Sequence, residues 1–227
     1  MNQLSLSQSV EEFTNDDYET PDKEAQAITS LVLPADRNIL EPFAGSGQIV
    51  KYLPSDRNID AVEIKLSRAR KILEWNDRRN RNLVVWEGMN FFETFTIKGN
   101  LRVYDLVITN PPFSLCMEAI AHSLKLLNPD NPDARLLFLI PLDTFSSQAR
   151  SEKLKSMDAH IHHTHLIPKR IDYLKDGELM SKCQKIKDGV PQFDKNGKII
   201  LNSGRQCYDA VFDVRPGKEN PSTTFLR

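Results

Sequence analysis

The chain contains the stretch Ile39-Leu40-Glu41-Pro42-Phe43-Ala44-Gly45-Ser46-Gly47, a short apolar run that leads directly into a turn with two glycines. This pattern predicts a strand, a glycine turn and a helix, because glycines let the backbone turn tightly and approach a ligand at the carboxyl end of a strand. Glu41 stands four residues before the first glycine, and Glu63 ends another apolar run sixteen residues after Gly47. A carboxylate in the position of Glu63 can accept both hydroxyls of a ribose.

The dinucleotide fingerprint GxGxxG is incomplete in this turn, since Val50 stands where the third glycine would be. A dinucleotide is therefore disfavoured. The remaining alternative to a cofactor site is a glycine turn whose neighbouring acids have a structural role.

Short apolar runs alternate with helical stretches after Pro34. The apolar runs are Asn38–Leu40, Ile59–Ile64, Leu83–Trp86, Tyr104–Thr109 and Leu136–Ile140. The helical stretches are Asp22–Leu33, with Pro21 at its first position, Gly47–Leu53, Ser67–Asp77 and Leu115–Leu127. This alternation predicts an α/β fold with a doubly wound, mostly parallel sheet.

The alternation breaks after Asp143. Two β-type runs, 160–167 and 206–214, enclose a polar stretch rich in lysine and glycine, in which Asp194–Gly197 is typical of a hairpin turn. A structureless loop of this length is unusual, so we expect a functional insertion over about 168–205 with some structure of its own. The predicted organisation is a flexible arm over 1–17 and one domain over 18–227 that carries this insertion.

Composition excludes several classes of protein. The 227 residues are 40% hydrophobic and 27% charged, as in a globular protein with a sizeable core. No apolar stretch is long enough for a membrane span, and the first residues do not resemble a secretory signal. Three widely spaced cysteines, Cys116, Cys183 and Cys207, indicate reduced thiols and a cytoplasmic protein.

Charge is distributed unevenly along a chain whose formal net charge is −1. Residues 1–35 carry seven acids and one base, whereas residues 145–205 carry twelve bases, seven acids and four histidines. A positive segment on a neutral protein can meet a phosphate backbone locally. A solvated loop with surface lysines is the alternative interpretation.

A second informative stretch is Tyr104-Asp105-Leu106-Val107-Ile108-Thr109-Asn110-Pro111-Pro112-Phe113. The buried run delivers Asn110, two prolines and an aromatic ring to the edge of the sheet where the cofactor is expected. The Asn110 amide oxygen and the Pro111 carbonyl would act as two rigid acceptors, which suit a planar –NH₂ group. Phe113 offers a flat face on which a base can stack. A strand that simply ends in a proline turn is the alternative.

Together these residues resemble the amino-group DNA methyltransferases that use S-adenosylmethionine, over roughly Tyr18 to Val214. Glu41–Gly47 resembles the (D/E)PxxGxG turn and Asn110–Phe113 the catalytic (N/D)PP(Y/F) motif, in the γ-type order of adenine-N6 enzymes. The resemblance implies a Rossmann-like class I methyltransferase fold, a seven-stranded mostly parallel sheet with a reversed last pair. It also implies the catalytic residues Asn110, Pro111, Pro112 and Phe113, and S-adenosyl-L-methionine as cofactor. The cofactor-binding residues it implies are Thr20, Pro21, Glu41, Pro42, Phe43, Ala44, Gly45, Gly47, Glu63 and Asn90.

Two departures from the family pattern affect what is expected. Asn90 stands where the family commonly has an acid that accepts a hydrogen bond from the cofactor adenine, so charge assistance is lost. No separate target-recognition domain of typical size is present, so recognition falls to the basic segment or to a partner that supplies specificity. We expect phosphate contacts from Lys169, Arg170, Lys182, Lys185 and Lys187.

The motif indicates a reaction type better than a substrate. The leading prediction is transfer of a methyl group to adenine N6 in DNA, with duplex DNA whose target base is flipped out as the expected substrate. The alternatives are an RNA base, a protein glutamine amide, and a non-catalytic nucleic-acid-binding module on the same fold. A stand-alone enzyme of this kind is typical of a bacterial or phage-infected cell. Its oligomeric state is left open.

Four histidines, His160, His162, His163 and His165, lie in one predicted strand. Alternation along a strand would put the first two on one face and the last two on the other. No nearby cysteine or carboxylate completes a tetrahedral set in sequence, so no metal site is predicted.

Overall fold

A seven-stranded sheet with helices against both faces organises the part of the chain that the computed structural model describes, residues 18–76, 82–94, 102–175, 177–187, 190–201 and 208–217. Up to the insertion, its elements are α1 (Asp22–Thr29), β1 (Asn38–Glu41), β2 (Asn58–Glu63), α2 (Leu66–Asn76), β3 (Leu83–Glu87), α3 (Phe91–Thr94), β4 (Leu106–Thr109), α4 (Cys116–Leu124), β5 (Arg135–Pro141), α5 (Gln148–Ser156) and β6 (Ala159–Leu166). The remaining strands are β7 (Leu174–Lys175), β8 (Glu178–Leu179), β9 (Ile186–Lys187), β10 (Val190–Pro191) and β11 (Asp209–Pro216). The predicted arm, residues 1–17, lies outside the described residues.

The strand order in the sheet is β3-β2-β1-β4-β5-β11-β6. All neighbours are parallel except β11, which pairs antiparallel with both β5 and β6. The last two strands therefore stand in reversed order, and the predicted fold class is confirmed. Because the chain order reverses between β1 and β4, a crevice opens outside the carboxyl ends of these strands, where ligands bind in open α/β sheets.

The sheet is buried on both faces. Along β1 the side chains alternate, with Leu40 in the apolar layer shared with α4 and α5 and Ile39 in the layer shared with α1 and α2. Every residue of β5 is buried. Continuous burial is expected for a central strand covered by helices on both sides, and it explains the apolar run over Leu136–Ile140.

Two helical elements differ from the prediction. Residues 47–53 form only a turn of 3₁₀ helix over Val50–Tyr52, and Leu53 is extended before Pro54. A proline disfavours helical geometry in the residue before it, so the helix cannot continue. Conversely, α5 forms beyond Asp143, where the alternation was expected to end, although Leu154 is its one buried residue.

The segment predicted as an insertion contains two short antiparallel pairs. β7 and β8 pair antiparallel, as do β9 and β10. The hairpin turn predicted at Asp194–Gly197 is present, because the Asp194 N–H donates to the Lys198 carbonyl at 2.8 Å and Gly197 has a φ of +75°. Residues 176, 188–189 and 202–205 of the insertion lie outside the described residues.

The four histidines of β6 do not alternate as predicted. Asp213 of β11 pairs with His163 and Val214 pairs with Ile161, so His162 is the extra residue of a β-bulge. The bulge brings the rings of His162 and His163 to 4.4 Å between centroids. The expected division of the histidines between two faces is therefore wrong.

Neither cysteine in the described part of the chain, Cys116 or Cys183, forms a disulfide. Cys207 lies outside that part. Across the described ranges, no helix combines the length and the apolar character that crossing a bilayer requires.

Candidate active site

An open cleft lies at the carboxyl edge of β1, β2 and β4. Among the predicted site residues it is lined by Pro42, Phe43, Gly45, Glu63, Asn90, Asn110 and Pro112. A small recess beside it is lined by Thr20, Glu41, Ala44, Gly45 and Asn110, among others. The structure thus brings most of the predicted cofactor and catalytic residues to one place.

The glycine turn after β1 is held against the end of β2. The Gly45 N–H donates to Glu63 Oε2 at 2.8 Å, and the Ala44 N–H donates to the Val62 carbonyl at 2.9 Å. Gly45 has a φ of +56° and nothing near its missing side chain, so here glycine is required by backbone conformation and leaves open space in the cleft.

Gly47 lies on the other side of the turn from the cleft. A Cβ at this position would lie 2.6 Å from the ring of Trp75, whose indole N–H donates to the Ser46 carbonyl. Gly47 therefore lets α2 pack against the turn. The structure places it behind the predicted cofactor site, and Pro21 is likewise outside the cleft lining, at the N-cap of α1.

Glu63 ends β2 with its carboxylate fixed by two backbone groups. One oxygen accepts from Gly45 and the other accepts from the Lys65 N–H at 2.7 Å. The position of Glu63 at the carboxyl end of β2, where it lines the cleft, is the one predicted for a group that faces a ribose.

Asn90 lines the cleft but its side chain is already engaged. Its Oδ1 accepts from the Phe92 N–H at 3.1 Å and its Nδ2 donates to Glu93, so it caps the short helix α3. A hydrogen bond from the exocyclic amino group of an adenine would share the same oxygen. The capping role explains why an amide can occupy a position where an acid was expected.

Glu41 is buried, and neither carboxylate oxygen has a hydrogen-bond partner among the residues that the structure describes. The Thr109 hydroxyl, at the end of the adjacent strand β4, and the Phe43 N–H approach this carboxylate, but neither oxygen has a partner in good hydrogen-bond geometry within the same ranges. Burial raises the pKa of the Glu41 carboxyl well above its ordinary value, Thr109 and Phe43 offset only part of that rise, and the nearby charge of Glu63 adds to it. Buried polar atoms without partners are typical of a site built for a ligand.

Asn110 follows β4 with its amide held in one orientation. Its Nδ2 donates to Thr20 Oγ1 at 3.0 Å, and its Oδ1 is buried without a partner among the described residues. The Asn110 oxygen is thereby available to a donor in the cleft. Thr20, predicted as a cofactor residue, therefore also positions the predicted catalytic amide.

The two prolines direct the chain from β4 into a turn of 3₁₀ helix over Phe113–Leu115. The Pro112 carbonyl accepts from the Leu115 N–H, which anchors that turn. Phe113 is half-buried, and the ring of Tyr173 meets it edge to face at 6.1 Å between centroids. Phe113 does not line the cleft itself. A base stacked on its ring would therefore lie at the rim of the cleft, next to the insertion.

The sequence prediction missed a group around Glu19. The Glu19 carboxylate accepts from the Ser46 hydroxyl at 2.7 Å and lies 3.6 Å from Nε of Arg68, which lines the cleft. The Glu19 backbone exchanges two hydrogen bonds with Leu174 of the insertion. The available signal was an acid directly before Thr20-Pro21 and a base five residues after Glu63.

The predicted phosphate-contacting residues all lie on or next to the insertion. Each of the five is exposed: Lys169, Arg170, Lys182, Lys185 and Lys187. The Arg170 guanidinium lies 5.5 Å from the ring centroid of Tyr208. They form no part of the cleft lining, so any contact with phosphates would occur outside the cleft. Within the described ranges no group of His, Cys, Asp or Glu is arranged to hold a metal ion.

Sequence comparison gives no match to a protein-family model or to a curated protein. Structural comparison does find similar proteins. The chain is similar to Trm5b from Pyrococcus abyssi, with a TM-score of 0.57 and 14% identity over 89% of this chain and 51% of that one. The chain has the Rossmann-like methyltransferase fold. It spans about half the length of Trm5b.

Two further similar structures share this fold. One is an S-adenosylmethionine-dependent O-methyltransferase from Thermotoga maritima, with a TM-score of 0.52 and 10% identity over 91% of this chain and 70% of that one. The other is a modification subunit assigned to a type I restriction enzyme from Vibrio vulnificus, with a TM-score of 0.56 and 14% identity over 90% of this chain and 46% of that one. Proteins described so differently share the fold, so the fold alone does not select a substrate.

Proposed function

We propose that this chain is an S-adenosylmethionine-dependent methyltransferase that methylates N6 of adenine in DNA. One observation carries the proposal: Asn110 is oriented by Thr20, and its amide oxygen is buried without a partner in the described part of the chain, directly beside the cleft. An acceptor fixed in this way suits an amino group, which must give up hydrogen-bonded water to enter.

The residues present fit the cofactor. Glu63 lines the cleft at the end of β2, where it would face a ribose, and Ile64, Met89 and Phe92 supply apolar walls for a planar ring. Glu41 would face the positive end of the methionine group, which would remove the cost of its isolated carboxylate. When bound, the cofactor would supply an electrophilic methyl group on a sulfonium ion.

Asn110 and the Pro111 carbonyl would hold the target amino group. With both N–H bonds directed to these acceptors, the nitrogen lone pair turns out of the plane of the base and toward the cofactor side of the cleft. No ionisable base is needed for this arrangement. The neutral Asn110 amide suffices because the exocyclic nitrogen carries a positive charge once it has gained the methyl group, and it would then release its extra proton to water. The sulfur–methyl bond would break as the nitrogen–methyl bond forms, so that the cofactor leaves as a neutral thioether.

Nucleic acid is favoured over a protein amide by the positive charges on the surface of the insertion. The insertion presents Lys169, Arg170, Lys182, Lys185 and Lys187 at the surface, and phosphate contacts dominate nucleic-acid affinity. An adenine in duplex DNA would have to be flipped out, at a cost of a few kcal/mol. An RNA amino group would use the same acceptors and is the alternative that the assay must separate.

The test is transfer of a labelled methyl group from S-adenosylmethionine to unmethylated DNA, total RNA or a release-factor protein. Label recovered as N6-methyladenine in DNA supports the proposal. Label found in RNA or protein keeps the reaction and overturns the substrate. Cofactor binding without any transfer would point to a missing partner or to a non-catalytic module.

Variants of the hydrogen-bonded pair test the catalytic assignment. Asn110→Ala should retain cofactor binding and lose methyl transfer by several powers of ten, about the loss expected when a fixed transition-state contact is removed. Thr20→Val removes the acceptor that orients the amide, whereas Thr20→Ser keeps it. We expect Thr20→Val to lower kcat and Thr20→Ser to restore it; near-normal turnover of Asn110→Ala would refute the assigned role.

A further inference from the structure

The small recess beside the cleft contains two buried carboxyl groups. Glu41 reaches it from the end of β1 and is 1% exposed, and Glu19 reaches it from the segment before α1 and is 6% exposed. Thr20 and Asn110 line the same recess, so it lies beside the predicted catalytic amide. Burying a carboxylate is costly unless a cation or several hydrogen-bond donors pair with it.

The two carboxyl groups differ in their partners. Glu19 Oε1 accepts from the Ser46 hydroxyl at 2.7 Å and lies 3.6 Å from Nε of Arg68. For Glu41, neither oxygen has a partner in good hydrogen-bond geometry among the described residues. Across the same ranges, no lysine or arginine lines the recess. Glu41 is therefore the acid of the recess whose charge the described part of the chain leaves without a cation.

Several elements direct groups toward Glu41 and affect its charge. Burial raises the pKa of the Glu41 carboxyl, and the charge of Glu63 on β2 adds to the rise. The Thr109 hydroxyl on β4 and the Phe43 N–H of the glycine turn offset part of it. Glu19, from the segment before α1, adds a second acid to the same recess. The empty recess therefore favours the neutral form of the Glu41 carboxyl.

We propose that the recess is a subsite for the primary ammonium group of the cofactor, and that Glu41 exchanges its own proton for this group. In the empty recess the Glu41 carboxyl keeps its O–H bond. When an ammonium group enters, that bond breaks, the proton leaves to the solvent, and the carboxylate accepts hydrogen bonds from the ammonium. The inference rests on the cofactor of the proposed function and adds proton release to its binding.

An ammonium group suits this recess better than a metal ion does. It carries three donors and a positive charge, and Glu41 offers two acceptor oxygens at one place. Hydrogen bonds between charged partners are about twice as strong as neutral ones, so the ammonium offsets the cost of ionising a buried carboxyl. In the part of the chain that the structure describes, no group of His, Cys, Asp or Glu is arranged to hold a metal ion.

The exchange makes cofactor affinity depend on pH in a definite direction. Burial raises the pKa of Glu41 in the empty recess, and an ammonium beside it would lower that pKa again. Between these two values each bound cofactor releases a proton, so affinity should rise with pH by up to about tenfold per unit. Above the raised value the contribution of Glu41 ends, and loss of the proton from the ammonium itself then weakens binding.

Isothermal titration calorimetry with S-adenosylhomocysteine measures the released proton directly. The titration is repeated at about pH 6, between the ordinary pKa of a glutamate and that of an α-ammonium group, in buffers of different ionisation enthalpy. The slope of the observed enthalpy against that ionisation enthalpy gives the number of protons released. We expect about one proton for S-adenosylhomocysteine. The deaminated analogue, in which a hydrogen replaces the amino group, should release none.

Variants of the recess identify the source of the proton. Glu41→Gln should release none and should bind S-adenosylhomocysteine about tenfold or more weakly. It should bind the deaminated analogue as wild type does, which shows that the recess remains folded. Glu19→Gln is the matched control and should still release the proton, since Glu19 lines the same recess but already accepts from Ser46. Thr109→Val removes a group that lowers the pKa of Glu41, so the rise in affinity should move to higher pH.

Three results would overturn the exchange: binding of S-adenosylhomocysteine without proton release, equal release in Glu41→Gln, or equal release with the deaminated analogue. Each of them leaves the proposed reaction in place, because binding is measured without an acceptor for the methyl group. Conversely, a chain that releases the proton on binding but methylates no DNA keeps the ammonium subsite and overturns the proposed substrate.

Discussion

Glu41 is a buried residue whose charged form destabilises the empty fold but suits the proposed ligand. Its carboxyl group is buried, and both oxygens lack partners among the described residues. A charged carboxylate in that position is costly unless a cation pairs with it. The site is thus expected to be less stable empty than filled, as is common for functional residues placed where a ligand needs them.

The stability of the ligand-free chain should therefore fall with rising pH because of Glu41. Burial raises the pKa of Glu41 in the folded state, so between its ordinary value and the raised value the folded chain holds a proton that the unfolded chain has lost. The contribution is fully present below the ordinary value, and over this window the free energy of unfolding decreases by about 1.4 kcal/mol per pH unit. Glu41→Gln carries no such proton and should lose this slope.

Urea unfolding of the ligand-free chain across pH measures the effect. Wild type and Glu41→Gln should differ most at alkaline pH, with the variant the more stable, and should converge in acid. Glu178→Gln, an exposed position on β8, is the control and should follow wild type. Parallel pH curves for wild type and Glu41→Gln would show that burial does not raise the pKa of Glu41.

At the level of the secondary-structure elements, Asp105 joins the amino ends of the central strands. Its carboxylate accepts from the N–H groups of Arg37 and Asn38 at the start of β1 and from the side chains of Asn128 and Asn131 before β5. Burial alone would raise the pKa of Asp105, but these hydrogen bonds, that of Asn131 first, together lower it. This edge of the sheet is therefore fixed by one side chain, opposite to the edge that carries the cleft.

Asp105→Asn should destabilise the fold without removing the cleft residues. The amide would present a donor to groups that are themselves donors, at a cost of about 2–4 kcal/mol in the free energy of unfolding. Because the folded pKa lies below the ordinary value, this stabilisation is present above the ordinary pKa and is lost as the pH falls through the folded one. Urea unfolding at neutral and acid pH measures it, with exposed Asp130→Asn as the control; an equal loss in both variants would contradict the assignment.

The sequence predicts well those elements whose burial leaves a clear apolar pattern in their own residues. The runs that became β1, β2, β4 and β5 are buried on both faces, and such burial produces a continuous apolar run whatever the neighbours are. α5 was missed because it buries only Leu154 and so has no apolar stripe. The bulge at His162 was missed because it depends on the register with β11, which local sequence does not encode.

At the scale of the whole molecule, the site also combines features that local sequence encodes with features that depend on residues far apart in the chain. The residues of the glycine turn and of Asn110–Phe113 form two contiguous motifs in the sequence, and the order of the strands brings these motifs together at one edge. Glu19 and Leu174 are far apart in sequence and meet through backbone hydrogen bonds, which carry no residue signature. The link between the insertion and the cleft was therefore not predictable from motifs.

That link leads to a prediction about the intact chain. Glu19 contacts the glycine turn through Ser46, the cleft through Arg68 and the insertion through Leu174. Ordering of the cleft by a ligand should therefore also order the insertion, and binding of cofactor and nucleic acid should be mutually favourable. We expect saturating S-adenosylhomocysteine to tighten oligonucleotide binding about fivefold or more, and the oligonucleotide to tighten the cofactor product by the same factor.

Glu19→Ala tests whether this side chain carries the coupling. It removes the contacts to Ser46 and Arg68 but keeps the backbone pairing with Leu174, so each ligand alone should bind nearly as it does to wild type while the mutual enhancement falls toward one. Gln26→Ala, exposed on α1, should keep the full enhancement. Calorimetric titration of each ligand in the absence and presence of the other gives the factor in both directions. Enhancement that survives in Glu19→Ala would place the coupling in the aromatic contacts of Tyr18, Tyr173 and Phe113 instead.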